Sequence, residues 1–284
     1  MHPAFYMLEK EWLEHKSVTR IPLFVLICVL VLFAGLLSNG GLSANFSFQI
    51  SSSGFEDFDL QFVDEFSSLL MAGVGLLSVM LSTLYFPKTL RKERQEGSFM
   101  FWRSMPVSNL RIHLVKLGFG LLVIPLICSL LVVTVDSLLW VVNVMTDDAI
   151  TLFYNQRDVL FIPVHWLLFL LRMVLVALAL LPLACFTLLL SQLVSAPIMV
   201  MFVGVYALQW VTFGLTGSDW FERFFDQIFA LPLHLLTDSD MAELMTQISM
   251  LNLLIYFAVG ALSFIASLRL YQTDETSWRA LLKR

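Results

Sequence analysis

The sequence predicts an all-α integral membrane protein that crosses the bilayer six times and forms a single domain over residues 1–284. Apolar residues make up 58% of the chain and charged residues 14%, whereas soluble domains average about 45–50% and about 25%. The mean hydropathy of +0.83 agrees with this contrast. Apolar windows of bilayer length and a one-sided distribution of lysine and arginine complete the prediction.

Six apolar windows approach or exceed the roughly 20 residues that are needed to cross a bilayer. They are Pro22–Leu37, Phe66–Phe86, Leu114–Val142, Pro163–Leu190, Pro197–Leu215 and Leu251–Leu270. The third and fourth windows are longer than a bilayer requires, so we expect them to tilt or project, with kinks at Pro125 and Pro182. Small residues are expected to allow close helix packing at Gly73, Gly75, Ser78, Ser82, Gly118 and Gly120.

The net charge of −5 hides a separation of signs along the chain. Fourteen of the 17 lysines and arginines precede the first window, lie between the second and third, or end or follow the sixth. The segments on the other side hold only Arg157 and Arg223, with many acidic residues. Positive segments stay in the cytoplasm, which predicts cytoplasmic termini and a bacterial-type inner membrane.

An amphipathic elbow helix is predicted at residues 1–20, before the first span. Phe5, Leu8 and Trp12 recur at helical spacing, as in a helix that lies in the headgroup layer. Its predicted polar face carries Glu9, Lys10, Glu11 and Glu14.

An outer helical insertion is predicted at residues 217–248, between the fifth and sixth spans. Its aromatic face indicates an interfacial or re-entrant helix, which Pro232 is expected to end. The apolar residues on that face are Trp220, Phe221, Phe224, Phe225, Ile228 and Phe229.

The segment between the second and third spans, residues 88–113, carries the most specific pattern. Gly97 breaks the helix that continues from the second span, Ser98 is placed to cap a short helix, and Pro106 ends it. Ser108 is placed to cap the helix of the third span. The short helix is apolar between basic flanks, so its aromatic residues either fold back onto the lipid headgroups or dock a protein.

This loop resembles the cytoplasmic loop of the ABC transporter permeases of the exporter-like second type. In those proteins an acidic-basic pair, a Gly-Ser or Gly-Thr, a short apolar helix and a Pro-Val-Ser precede the third span. The matching residues here are Glu93, Arg94, Gly97, Ser98, Met105, Pro106, Val107 and Ser108, with Lys116 at the place of a following lysine. The motif covers about thirty residues, while the layout of spans covers the whole chain.

The resemblance implies a non-catalytic permease that pairs with a second permease copy and is driven by two ABC ATP-binding subunits. It implies that ATP and magnesium bind to those subunits, with no cofactor in this chain, which lacks a G-x-x-x-x-G-K-[ST] phosphate loop. Membrane lipids are expected partners and nucleic acid is not. The implied ATPase-coupling residues are Glu93, Arg94, Gly97, Ser98, Phe99, Met100, Phe101, Trp102, Arg103, Met105 and Pro106.

Two charged residues fall inside predicted spans. Asp136 lies near the outer end of the third window, and Arg172 lies in the fourth, where its side chain leans outward toward the level of Asp136. A salt bridge between them is expected. Charges inside spans mark functional sites or serve structure by pairing and snorkelling, and both interpretations stay open here.

Other chemistries find little support in the sequence. The five histidines have no metal-ligand spacing, and no H-E-x-x-H motif is present. Two alternatives to an exporting ABC permease stay open. One is a scaffold that docks a cytoplasmic partner without moving a solute, and the other is an ion-coupled secondary transporter that uses Asp136 or Arg172.

Overall fold

The computed structural model describes residues 3–38, 55–95, 108–145, 159–217, 219–237 and 249–272, and these residues form helices and connections without a strand. A π-helical turn lies at Phe119–Val123. The helices are α1 (Pro3–Glu14), α2 (Lys16–Ser38), α3 (Phe55–Gln95), α4 (Asn109–Gly118), α5 (Ile124–Met145), α6 (Phe161–Leu193), α7 (Pro197–Thr216), α8 (Trp220–Thr237) and α9 (Met250–Gln272).

Six helical segments are long and apolar enough to cross a membrane. They are Lys16–Gly35, Ser68–Glu93, Asn109–Val141, Phe161–Leu193, Pro197–Leu215 and Met250–Gln272. Each overlaps one predicted window, which confirms the all-helical prediction and the six candidate spans. By length and composition, the chain is a multi-pass membrane protein.

Local sequence explains several of the helix ends. Pro197 begins α7 at a position where a missing N–H costs nothing. Gly217 ends the same helix with a left-handed φ of 64°, which only glycine adopts without strain. Ser108 precedes α4 as predicted, but its side chain makes no capping hydrogen bond.

One prediction about prolines is corrected, and the kink expected at Pro125 stays a prediction, with a π-helical turn just before that residue at Phe119–Val123. Pro232 lies inside α8, which continues to Thr237. The helix survives this proline because the turn that follows it buries Leu235 and Leu236 in the core.

Helix α6 is the centre of the bundle, and 67% of the residues in its most apolar window are buried, against none in that of α7. It packs on α3, α5, α8 and α9. Helix α9 runs parallel to it, since Tyr256 donates a 2.8 Å hydrogen bond to the Ala179 carbonyl and Ser267 accepts one of 2.7 Å from Gln192.

Small residues allow close packing at some of the predicted positions. A methyl group at Gly75 would collide with Leu236 of α8, and one at Gly120 would collide with Phe86 of α3. Ser78 and Ser82 are buried as well. Gly73 and Gly118, in contrast, face open space. The pattern of small residues thus marked helix contacts, but not every member of it lies in one.

Several helix ends meet at one end of the bundle, which we call the basic end because Lys10, Arg91, Lys92 and Lys116 lie there. Arg91 near the end of α3 donates a 3.2 Å hydrogen bond to the carbonyl of Val194, just after α6. Helix α4 begins at this end and α9 finishes there. Helix α1 packs beside them, on α2 and α4.

Candidate coupling site

A buried lysine forms the centre of a charged cluster at the basic end. Lys116 of α4 is 2% exposed. Its Nζ donates a 2.6 Å hydrogen bond to Glu11 Oε1 of α1 and lies 3.0 Å from Glu93 Oε1 of α3. Both carboxylates are themselves 3% exposed. One ammonium group therefore joins three helices that are far apart in the sequence.

Three further contacts complete what we call the Lys116 cluster. Lys10 Nζ donates a 2.7 Å hydrogen bond to Glu93 Oε1, so this oxygen lies between two lysines. Tyr85 donates its hydroxyl to Glu11 Oε2 at 2.7 Å. Lys92 donates to the backbone carbonyl of Glu14 at the end of α1, at 3.3 Å, where helix carbonyls lack helical partners. The end of α3 is thus fastened to α1 at several points.

The alternation of charges is what makes this burial tolerable. Moving an ion out of water costs several kcal/mol unless an opposite charge and hydrogen bonds compensate. Each buried carboxylate here contacts a lysine, and Lys116 contacts both carboxylates. The arrangement is stable only while α1, α3 and α4 keep their relative positions.

The pKa values in α1 reflect this environment. Burial alone raises the pKa of Glu11, but the charge and hydrogen bond of Lys116, with the hydroxyl of Tyr85, outweigh burial and hold that pKa below its usual value. Burial raises the pKa of Glu14, where Lys10 compensates only in part. The carboxylate of Glu11 is therefore the ionised partner that the lysine requires.

His15 closes the cluster on the side of the connection between α1 and α2. Its ring packs edge-on against Tyr85, with ring centroids 4.8 Å apart, and its side chain is 11% exposed. Burial lowers the pKa of His15 from 6.5 to about 4, although Glu11 acts in the opposite direction. The imidazole is therefore neutral at neutral pH.

The structure places the predicted coupling residues unevenly. Glu93 is buried in the Lys116 cluster, and Arg94 follows it in the last turn of α3, where only the backbone is described. The other predicted coupling residues, Gly97 to Pro106, lie outside the described residues. The segment that contains them, residues 96–107, connects α3 to α4. The cluster thus holds the helices on both sides of this segment.

Two members of the cluster differ from their predicted environment. The sequence placed Glu11 on the polar face of an elbow helix, yet it is buried, and its predicted apolar neighbours Phe5 and Trp12 are 65% and 45% exposed. Lys116 was counted among the loop charges, yet it is one of the largest fully buried side chains. The missed signal was a lone lysine one residue after His-Leu-Val, within an apolar stretch that begins a span.

A second, uncharged network holds the same end together. His113 of α4 lies with Nε2 3.0 Å from Ser267 Oγ of α9, which also accepts a 2.7 Å hydrogen bond from Gln192 of α6. The His113 ring packs edge-on against Tyr271. The helix that leaves the loop is therefore tied to α6 and α9 as well as to α1 and α3.

The predicted ion pair between Asp136 and Arg172 is corrected, because each side chain contacts a different partner. Asp136 Oδ2 of α5 lies 2.7 Å from Nδ1 of His165 in α6. Arg172 donates a 3.0 Å hydrogen bond to the backbone carbonyl of Leu236, near the end of α8. The buried His165 is nearer the start of α6 and meets Asp136 directly, while α8 supplies an acceptor that the windows did not reveal.

No metal site was predicted, and within the described ranges no group of three His, Cys, Asp or Glu side chains is placed to hold a metal ion. No protein-family model, curated protein or solved structure matches the chain. Its function has to be inferred from its own residues, above all from the loop motif and the Lys116 cluster beside it.

Proposed function

We propose that the chain is the membrane-spanning permease subunit of an ATP-driven ABC exporter. The observation that carries the proposal is the position of the Lys116 cluster. The segment whose motif resembles the coupling loop of such permeases, residues 96–107, joins α3 to α4, and Glu93 and Lys116 on those helices are bound to each other at 3.0 Å. A displacement of this segment would therefore move α3 and α4 together.

The buried ions make the flanking helices move as one unit. Separating α3 from α4 would break the contact between the buried Glu93 and Lys116 and leave each charge with less compensation, from Lys10 and Glu11 of α1, which is costly for buried ions. Glu11 adds α1 to the same unit through its 2.6 Å contact with Lys116. Movement imposed at the loop is therefore passed on to the spans with little loss in local deformation.

The power source in this proposal is a separate pair of ABC ATP-binding subunits, which bind ATP and magnesium. The aromatic residues Phe99, Phe101 and Trp102 dock into a cleft on the ATPase, and nucleotide-driven closure moves the attached helices. A second permease copy completes the pathway, which opens alternately to the two sides. The chain itself carries no catalytic residue in this mechanism.

The orientation follows the lysine and arginine distribution. The basic end faces the cytoplasm of a bacterial-type inner membrane, with both termini on that side. Helix α1 serves as the elbow at the membrane surface. Helix α8 enters the outer half of the bundle, in line with the contact of Leu236 with Gly75 and its carbonyl hydrogen bond from Arg172.

The test is co-purification of the tagged chain from its native membrane in mild detergent, with mass identification of bound proteins and an ATPase assay. We expect a stoichiometric ATP-binding subunit. Joint replacement of Phe101 and Trp102 by Ala should preserve membrane insertion and remove most of that subunit. The matched control replaces Trp210 and Phe213 of α7, which are 81% and 60% exposed, and should retain the ATPase.

The outcomes separate the proposal from its rivals. Full ATPase binding by the Phe101 and Trp102 variant refutes the coupling-helix assignment. A cytoplasmic partner without nucleotide hydrolysis indicates a scaffold. Solute transport by the purified chain alone, driven by an ion gradient, indicates a secondary transporter and would direct attention to Asp136 and His165.

A further inference from the structure

A cavity of about 350 Å³ lies between α3, α6, α7, α8 and α9. The residues that line it include Leu76 and Val79 of α3, Leu183 and Ala184 of α6, Phe202 of α7 and Leu233 of α8. The contributing parts of α3, α6 and α7 all belong to candidate membrane spans. The cavity therefore lies at the depth of the lipid chains.

The polar side chains in its wall have their hydroxyl hydrogens engaged within the protein. Ser82 donates to the carbonyl of Gly120 at 2.6 Å, and Thr83 donates to that of Met80 at 2.9 Å. Thr187 and Tyr256 donate to the carbonyls of residues 183 and 179, at 2.7 Å and 2.8 Å. Among the residues that the structure describes, no charged side chain lines the cavity. A polar ligand would lose its hydrogen bonds with water and gain none from the hydroxyl hydrogens of this wall, which are already engaged.

The cavity also opens toward the surface of the bundle. Five of its lining residues are exposed: Leu76 and Leu84 on α3, Phe202 on α7, and Phe229 and Leu233 on α8. Helix α7 packs on α6 and α8 and has none of its most apolar window buried. An apolar chain in the surrounding bilayer can thus enter sideways, between α3 and α7, without crossing a polar layer.

The cavity is too large and too apolar to stay empty in a membrane. Left empty, it would deprive the side chains that line it of dispersion contacts on one side. Water gains few hydrogen bonds from such a wall, and apolar cavities stay dry. Lipid chains are the abundant apolar molecules at this depth.

We propose that this cavity binds one acyl chain of a membrane phospholipid, with the headgroup outside the cavity. Taking ~30 Å³ per water-sized group, the volume accommodates on the order of ten methylene groups. The uncharged wall accepts the chain and excludes the phosphate. This inference goes beyond the proposed function, since occupancy of the cavity requires neither an ATPase nor transport.

The experiment reconstitutes the full chain in phospholipid vesicles that contain a phospholipid with a diazirine in its acyl chain. After illumination, peptide mapping locates the labelled residues. We expect label concentrated on the cavity wall, at Val79, Leu180 and Leu183, above that at lipid-facing residues such as Leu178 and Leu262, which are 51% and 67% exposed.

Filling the cavity should remove this label. Val79→Phe and Ala184→Phe add a ring from α3 and from α6, and each should lower labelling of the remaining cavity residues about tenfold, which equals ~1.4 kcal/mol. The matched control is Leu178→Phe on the exposed face of α6, which should leave cavity labelling unchanged. Two filling variants keep the test valid if one of them fails to fold.

Three results would overturn the proposal. The first is wild-type label spread evenly over the exposed residues, with no concentration in the cavity. The second is cavity labelling that persists at the wild-type level in both folded filling variants. The third is labelling of the cavity by a diazirine fatty acid but not by the phospholipid, which would make a free fatty acid the occupant.

Discussion

Buried charge is arranged differently at the two ends of the bundle. At the basic end, Lys116 and the two glutamates Glu11 and Glu93 form one cluster across three helices. In the other half, Asp136 meets His165, and Arg172 meets a backbone carbonyl. Removing one charge of a cluster weakens the contacts of the others, whereas the loss of an isolated contact affects that contact alone. The basic end should therefore respond to substitution as a unit, and the other half residue by residue.

The largest effect is expected for Lys116→Met. This change leaves two buried carboxylates without their shared cation, which should lower the free energy of unfolding by about 3–5 kcal/mol. Thermal unfolding of the detergent-solubilised protein measures it. Lys92→Met is the control, since Lys92 is half-buried and donates to a carbonyl, so its loss strands no buried charge and should cost less, about 1.5–3 kcal/mol.

A variant in which Glu11, Glu93 and Lys116 are all replaced by neutral residues tests the same point. Adding Glu11→Gln and Glu93→Gln to Lys116→Met removes the uncompensated charges and should recover more than half of the lost stability. If Lys116→Met alone unfolds at the wild-type temperature, the cluster does not hold the three helices together, and the mechanical argument for coupling fails with it.

The next effect is expected at Arg172. Its hydrogen bond fixes the Leu236 carbonyl near the end of α8, and Arg172→Met should lower the free energy of unfolding by about 1.5–3 kcal/mol, as for a bond to a charged group. Arg223→Met, on the exposed side of α8, should change it by less than about 0.5 kcal/mol.

A double-mutant cycle tests whether Arg172 is independent of Asp136. The two side chains contact different partners, so the effects of Arg172→Met and Asp136→Leu should add to within about 0.5 kcal/mol. A coupling of 1 kcal/mol or more would restore the ion pair that the sequence predicted and contradict the contacts seen here.

A smaller effect is expected at Asp136. Asp136→Leu removes the hydrogen bond between Asp136 and the buried His165 and should cost about 1–3 kcal/mol, whereas Asp136→Asn retains a hydrogen-bonding group and should cost about 1 kcal/mol or less. Thermal unfolding of both variants gives the comparison. Equal losses for Leu and Asn would show that charge, and not the hydrogen bond, supports His165.

The sequence predicted the spans well because the signal is local. A run of some 20 apolar residues is sufficient to predict a helix such as Pro197–Leu215, whose bounds match the structure. Partners are not local. Glu11 and Lys116 are 105 residues apart, and nothing in either neighbourhood shows that they meet. The helical spacing that placed Glu11 with the exposed polar residues is sound, but it cannot anticipate a buried cation from another helix.

The pairing of Asp136 also shows that local sequence does not identify a residue's partner. The sequence placed Asp136 opposite Arg172 by their depth in the spans, whereas Asp136 contacts His165. His165 and Arg172 are seven residues apart on α6, so they share one face of that helix and lie about 10 Å apart along its axis. The partner is therefore decided by the level of α6 relative to α5, which no local pattern sets.

The smallest effect is expected in the pH dependence of the free energy of unfolding, through His15 at the basic end. The pKa of His15 falls from 6.5 to about 4 on folding, mainly through burial, so below pH 6.5 the unfolded chain binds a proton that the folded protein does not. Stability is therefore constant above 6.5 and decreases as the pH falls toward 4. From pH 7.5 to 5.5 the loss should be on the order of 1 kcal/mol.

Thermal unfolding at the two pH values, for wild type and His15→Gln, measures this loss. The variant should lose the part of the pH dependence that His15 causes, while His234→Gln, at an exposed position on α8, should keep it. The lowered pKa of Glu11 acts only at more acidic pH, and the raised pKa of Glu14 acts in the opposite direction in both proteins. If the wild type and His15→Gln lose equal stability over this range, His15 is not the group that senses pH, and its neutral, buried state in the Lys116 cluster is refuted.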